Sequence, residues 1–368
     1  MTKKKISLKQ RQFIKSGIKI FISLSAILCV FALFRINSHP LRKQQNRVGP
    51  SKIAFLFLVR KDLPLDFLWD SFFQNAETAK FSIHVHSKPG FVFGELTTKS
   101  KFFYGRQLKE PVRVVWGESS MIEAERMLIG EALKDPANQR FVLLSDSCVP
   151  LYNFSYIYNY MMLSPRSFVD SFLDVKDGRY NPKMSHVIPK EKWRKGSQWI
   201  ALVREHAEVI VDDDVILPVF KKHCKRRPPI DPRKGKKNIQ LQMQHNCIPD
   251  EHYVQTLLSI SELERELERR TLTYTSWNQS TTHPEKTAWH PVTFSYAIAG
   301  PQQIQAIKDI NHVSYESEYR TEWCKTNSTF VSCFLFARKF SRAAAMRLLS
   351  EGVVGSFDAA ALLNKHFL

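Results

Sequence analysis

The sequence predicts an α/β protein built on a parallel, Rossmann-like sheet. Three observations lead there. Continuous apolar runs have the length of strands buried on both faces. An amphipathic helix pattern lies between such runs, and one run stops abruptly in a polar turn.

The elements follow in order. "KIAFLFLVR" (52–60) has no polar alternation and reads as a central strand. "FSIHVHS" (81–87) and "VRVVWG" (112–117) read as further strands. "SSMIEAERMLIGEALKD" (119–135) reads as a helix. Ser120 and Glu123 have capping-box spacing, and Met121, Ala124, Met127, Leu128 and Ala132 form one apolar stripe. "RFVLLSDSCVPLYNF" (140–154) supplies the next strand, Phe141 to Leu144, which ends in Ser145-Asp146-Ser147. Sheets of this kind bind ligands at the carboxyl ends of their strands, so that turn is a candidate site. Later come the segment 197–211, a helix starting near Asp250, a helix from Pro301, and a terminal segment over 340–353. No linker divides residues 51–350, which read as one domain.

What precedes the domain is of another kind. Residues 1–19 hold seven Lys or Arg and no acid, out of a formal net charge of +19 for the 368 residues. Residues 20–34, "IFISLSAILCVFALF", carry no charge. Gly17 to Phe34, with Lys19 snorkelling, spans about 27 Å at roughly 1.5 Å per residue, near the thin end of a bilayer. The long basic lead and the lack of a small-x-small cleavage site favour an uncleaved anchor over a signal peptide. The charge bias keeps the N-terminal side in the cytosol. The expected layout is a cytosolic basic tail (1–17), a single transmembrane helix (18–34), a polar stem (35–50) and a lumenal domain (51–368).

That layout removes nucleic acid as the explanation of the charge. Much of the remainder sits in one run, 221–237, with nine basic residues and one Asp. Such a run reads as a solvated loop or as a contact for an anionic partner. Sequons at Asn153, Asn278 and Asn327 are candidate glycosylation sites for a lumenal body. Cys29 lies in the anchor. Cys148, Cys224, Cys247, Cys324 and Cys333 lie beyond it and allow up to two disulfides, with the pairing open. None has Cys-x-x-Cys spacing, which argues against structural zinc.

Four places carry candidate chemistry. Asp146 stands alone between two serines, and a hydroxyl is a poor substitute for a carboxylate on a hard divalent cation. Asp212 and Asp214 have Asp-x-Asp spacing but follow a helical run, which favours an exposed acidic turn. "CIPDEHYVQTLL" (247–258) puts Glu251 in the first turn of a helix, either as a simple cap or as a fixed carboxylate suited to taking a proton from a hydroxyl. "CFLFARKF" (333–340) puts Arg338 and Lys339 at a strand end, and "YRTEWCK" (319–325) adds Arg320. Cations in such positions can neutralise a diphosphate.

Taken in order, these segments resemble the core-2/I-branching β-1,6-N-acetylglucosaminyltransferase family, in its plant branch. The resemblance rests on "FVLLSDSCVPLYNF", "WGESSMIEAERMLI", "RYNPKM", "WRKGSQWIALVREHAEVIVDD", "CIPDEHYVQTLL" and "FLFARKF", and spans residues 52–350. It implies a GT-A-type glycosyltransferase domain behind the membrane anchor in the Golgi. It implies inverting transfer from a UDP-sugar to a glycan or glycoprotein, with no divalent metal. By position, Glu251 matches the general base and Lys339 the basic residue at the donor diphosphate. Arg320 is matched to its partner at a shorter spacing than in animal members. Trp277 matches an acceptor-side tryptophan. Gln279 stands where animal members carry an aromatic, and His86 where they carry a carboxylate, so acceptor and nucleotide contacts differ there. A glucuronosyltransferase of the same family and a non-catalytic lumenal binding protein of the same fold are the alternatives.

Overall fold

A computed structural model describes residues 49–175, 178–226, 246–277, 291–326 and 329–354. The expected tail and anchor and nearly all of the stem lie outside these residues, as do Cys29, Asn278, Gln279 and Asn327. Among the described residues no helix is long and apolar enough to cross a membrane.

The domain starts with three strands: β1 (Lys52–Leu58), β2 (Phe81–His86) and β3 (Asn138–Ser145). Short strands follow: β4 (Val149–Pro150), β5 (Ser167–Phe168), β6 (Ala201–Val203), β7 (Leu267–Glu268) and β8 (Thr273–Thr275). The C-terminal part carries β9 (His312–Tyr315), β10 (Arg320–Trp323), β11 (Lys325–Thr326), β12 (Thr329–Phe330) and β13 (Phe336–Arg338).

The central sheet runs in the order β2-β1-β3-β6-β5-β7. β1 pairs in parallel with β2 (Phe57 with Val85) and with β3 (Phe57 with Leu144). The sheet is mixed rather than wholly parallel, which corrects the sequence reading. β6 is antiparallel to β3, with Phe141 opposite Leu202. Its direction follows from what comes next: Val203 leads straight into the helix Arg204–Asp212, which packs beside the helix Ser120–Leu133.

β1 is buried on both faces, as its unbroken apolar run requires. Ile53, Phe55 and Phe57 enter one core, while Ala54, Leu56 and Leu58 enter the other. On the first face Phe55 meets Trp69, Phe72 and Phe73 edge-on, all from the helix Asp66–Gln74. On the second, Ser120–Leu133 buries Ile122, Ala124, Leu128, Ile129 and Ala132. The apolar stripe is therefore rotated from the expected one, with Met121 and Met127 at its edge.

Two further expectations change. Residues 112–117 form no strand; Val112 and Val114 pack at the edge of the core without a pairing partner. Ser120 does not make a capping box. Its hydroxyl instead accepts from Val115 N at 2.9 Å, tying the 112–117 segment to the helix start.

A second sheet, β4-β13-β8, lies next to the turn after β3. β13 is parallel to β8 and antiparallel to β4. Phe340 N donates to Ser147 O at 3.0 Å, joining the chain after β13 to the Ser145-Asp146-Ser147 turn. Two disulfides form among the described residues, Cys224–Cys247 and Cys324–Cys333, and Cys148 is a buried free thiol.

Candidate active site

A cleft of about 1790 Å³ opens at the carboxyl ends of five strands. Arg60 follows β1, His86 ends β2, Asp146 follows β3, Trp277 follows β8, and Arg338 with Lys339 closes β13; all line the cleft. This is where a sheet of this type binds ligands.

Glu251 reaches the same cleft from another element. Pro249–Glu251 forms a single 3-10 turn before the helix Tyr253–Ile260. The proline suits the first position of a turn because its missing N–H is not needed there. Glu251 is thus placed ahead of the helix, and its carboxylate pairs with the Arg179 guanidinium. Its carbonyl accepts from Gly196 N at 2.9 Å. Gly196 admits no side chain: a Cβ there would sit 1.8 Å from Asp170 O. The glycine lets two backbones close behind the carboxylate.

Asp170 stands beside this corner. It accepts from Tyr315 Oη at 2.5 Å and from Ser197 N at 2.9 Å. Burial raises its pKa, and the Tyr315 hydrogen bond opposes the rise.

Another part of the cleft wall is cationic. The Arg338 guanidinium lies over the Trp199 ring at 4.4 Å, and its Nε has no hydrogen-bond partner. Burial lowers its pKa, opposed by Cys148 and Asp146. Lys339 is half-buried, and burial followed by the Arg338 charge lowers its pKa while Asp146 opposes. Among the described residues neither cation forms an ion pair, and two such cations in a partly desolvated wall suit an anionic ligand group. Arg60 Nε donates to Asp146 Oδ2 at 2.8 Å at the same end.

Glu251, Asp146, Arg338, Lys339 and Trp277 therefore share one cleft. Arg320 does not reach it. Its guanidinium is engaged by Glu318 at 2.7 Å and by Glu322, and it stacks on the Tyr315 ring at 4.0 Å. It stands behind Tyr315 and Asp170 rather than facing a ligand. His86 is 1 % exposed and neither ring nitrogen has a well-formed hydrogen bond; burial lowers its pKa.

Asp212 and Asp214 are exposed and do not line the cleft. Asp213 between them caps the helix Ile216–His223, accepting from Ile216 N at 2.8 Å, and also accepts from Tyr253 Oη at 2.7 Å. Asn153 caps the helix Phe154–Leu163 through Tyr156 N at 2.9 Å. Among the described residues no group of three or more His, Cys, Asp or Glu is arranged to hold a metal ion.

Sequence reasoning passed over Arg60, Arg179 and Asp170. Arg60 was legible, since it ends the first strand run and the same carboxyl-end rule selects it. Arg179 and Asp170 reach the site through contacts 72 and 145 residues distant in sequence, which no local pattern marks.

A carboxylate and a pair of cations lining one cleft at strand carboxyl ends suit a group-transfer enzyme, and the known proteins it resembles say which kind. The chain is 54% identical over 318 residues to glycosyltransferase BC10 of Oryza sativa subsp. japonica, covering 85% of this chain and 80% of that one. The chain is a glycosyltransferase. The sequence model of the core-2/I-branching enzyme family matches residues 53–308, and the chain belongs to that family.

Proposed function

We propose that the protein is an inverting, metal-independent transferase that moves a sugar from a UDP-sugar to a hydroxyl of a glycan or glycoprotein in the Golgi lumen. N-acetylglucosamine is the first candidate sugar. One observation carries the reading: Glu251 and Lys339, from unrelated elements, line a single cleft at the carboxyl ends of the sheet.

In this mechanism Glu251 takes the proton of the acceptor hydroxyl. The freed oxygen bonds to the anomeric carbon from the face opposite the diphosphate. The bond to the diphosphate breaks, and its electron pair leaves with the phosphate oxygen. Lys339 and Arg338 stabilise the charge developing there, an effect worth several kcal/mol in a partly desolvated wall. Arg179 pairs with the Glu251 carboxylate and fixes its orientation. Trp277, exposed at the rim, offers an apolar face to the acceptor sugar.

A membrane-anchored, lumenal body accords with the two disulfides, which persist in oxidising compartments. The deciding experiment is a panel of UDP-sugars with glycan acceptors, scored by UDP release and by the anomeric configuration of the product. Turnover with UDP-N-acetylglucosamine supports the reading. Turnover only with UDP-glucuronic acid moves it to glucuronosyl transfer, and no turnover with any donor leaves a glycan-binding protein.

A further inference from the structure

A second cavity, of about 240 Å³, lies outside the cleft, and the two share no lining residue. One segment serves both: Thr271 and Thr273 line the cleft, while Glu268 and Arg270 line the cavity. The helix Phe154–Leu163 supplies Tyr156 and Tyr160 to the cavity wall, β5 supplies Phe168, and β11 supplies Lys325. The volume is below the roughly 300–1,000 Å³ of ordinary ligand sites, so it suits one small ring rather than a longer molecule.

The wall holds an unbalanced charge. Arg270 is 3 % exposed. Its guanidinium donates to Cys333 O at 2.8 Å and to Tyr160 Oη at 2.9 Å, and lies 4.9 Å from the centre of the Phe168 ring. Among the described residues these partners are all uncharged, and Nε has none. Burying a guanidinium without an anion is costly. Lys325 adds a second cation, with its Nζ 4.6 Å from the centre of the Phe330 ring and no ion pair among the described residues. The Cys324–Cys333 disulfide ties the two together, since Cys333 O holds Arg270 and Lys325 follows Cys324. The carboxylate in the wall, Glu268, is already opposed by Arg166 at 3.7 Å. The cavity therefore has a place for one anionic group.

The rest of the wall indicates what carries that group. Tyr156 is half-buried and stacks on Tyr152 with ring centres 4.2 Å apart, which holds it rigid. Tyr160 stands next to it, with ring centres 6.2 Å apart. Such rings offer an apolar body and a polar tip together. A sugar ring has the matching pair of surfaces, a C–H face and a hydroxyl edge. A free phosphate or a simple carboxylate gains nothing from the tyrosines, and a planar guanidinium matches a carboxylate.

We propose that this cavity is a carbohydrate subsite, separate from the transfer cleft, that takes one uronic-acid ring of a glycan. The carboxylate meets Arg270 and Lys325, and the ring lies against Tyr156 and Tyr160. The subsite does not depend on Glu251 being the base.

The test measures binding of methyl glucuronide to the full chain by calorimetry in excess UDP, beside methyl glucoside, acetate and inorganic phosphate. Methyl glucuronide is expected to bind about tenfold more tightly than each of the others, since only it carries both the charge and the ring. Lys325→Glu, at an exposed position, is expected to weaken it about tenfold or more. Lys339→Ala, in the cleft, leaves it unchanged. Arg270→Gln is expected to abolish binding. Should that buried change unfold the chain, Asn159→Trp, exposed at the cavity, decides the matter by blocking it, and binding is lost there too. No binding of methyl glucuronide overturns the proposal, and so does equal binding of methyl glucoside. Equal binding of acetate or phosphate leaves a bare anion site and overturns the sugar. Binding that survives Lys325→Glu and Asn159→Trp but is lost in Lys339→Ala belongs to the cleft and also overturns it.

Discussion

Arg60 Nε donates to Asp146 Oδ2 at 2.8 Å, so the lone carboxylate at the carboxyl end of β3 is held by a guanidinium. Asp146 is nearly buried, while the Arg60 side chain is 89 % exposed. Such a half-exposed pair contributes only about 0–1 kcal/mol to stability. Its consequence is electrostatic. The acid that would draw a divalent cation to this strand end is already neutralised, and Lys339 and Arg338 add positive charge beside it.

Transfer by this cleft is therefore expected to be insensitive to chelation. Activity in EDTA equals activity with added Mn²⁺, measured as UDP release. Loss in EDTA with recovery on Mn²⁺ would show that Asp146 parts from Arg60 to bind a metal.

Glu251→Gln is expected to lower kcat by about 10²–10⁴-fold, the usual contribution of a positioned general base. Glutamine keeps an oxygen for Arg179, so the turn holds and donor KM is unchanged. Steady-state kinetics with varied donor checks both halves. A kcat equal to that of the parent would remove Glu251 from the chemistry.

How much of this was legible in advance depends on the range of each interaction. The run 52–60 and the turn at Ser145-Asp146-Ser147 announced the sheet and the end at which it binds, because burial of a whole strand and its abrupt polar stop are local signals. Glu251 and Lys339 each stood at the end of a short patterned element, but only the family resemblance singled them out; the structure brings both to the cleft. The Arg320 expectation came from nearness in sequence to Lys339. The fold instead turns Arg320 onto Tyr315, where Glu318 and Glu322 engage it. The pairing of Glu125, on the helix Ser120–Leu133, with Gln198 was not legible. A glutamate on an apolar helix face looks like a surface position until Gln198, 73 residues away, is folded against it.

Lys339 gives an alkaline limit. Burial and the neighbouring Arg338 hold its pKa below the ordinary 10.5. The cation is the useful form, so raising the pH through that depressed value removes the charge earlier than for a free lysine. The kcat/KM for donor is expected to fall on the alkaline side before pH 10.5. Lys339→Arg, which stays charged, moves that fall to higher pH. A limb at the same pH in both proteins would show that another group controls it.

Gly196→Ala tests the close approach behind the base. The added methyl would meet Asp170 O at 1.8 Å, a backbone atom that cannot swing away. Overpacking of this kind costs about 1–3 kcal/mol or more. Because Gly196 N also holds the Glu251 carbonyl, kcat is expected to fall together with Tm. A variant with parent Tm and parent kcat would mean that the segment relaxes freely.

The two disulfides are expected to separate stability from activity. Cys224–Cys247 closes a separation of 23 residues and Cys324–Cys333 one of 9, so each stabilises the fold by about 3 kcal/mol in the chain-entropy account. Their positions differ. Cys247 N donates to Lys225 O at 3.0 Å, and Ile248, the next residue, already lines the cleft ahead of Asp250 and Glu251. Neither Cys324 nor Cys333 lines it. Cys224→Ser/Cys247→Ser is expected to lower Tm and kcat together, because the turn that presents Glu251 loses its anchor. Donor KM stays near the parent value, since Arg338 and Lys339 are carried by β13. Cys324→Ser/Cys333→Ser is expected to lower Tm by a similar amount with kcat retained below the transition. Thermal unfolding and kinetics on the two pairs decide the matter, and equal kcat losses in both would show that the Cys224–Cys247 bridge supports the fold without positioning the base.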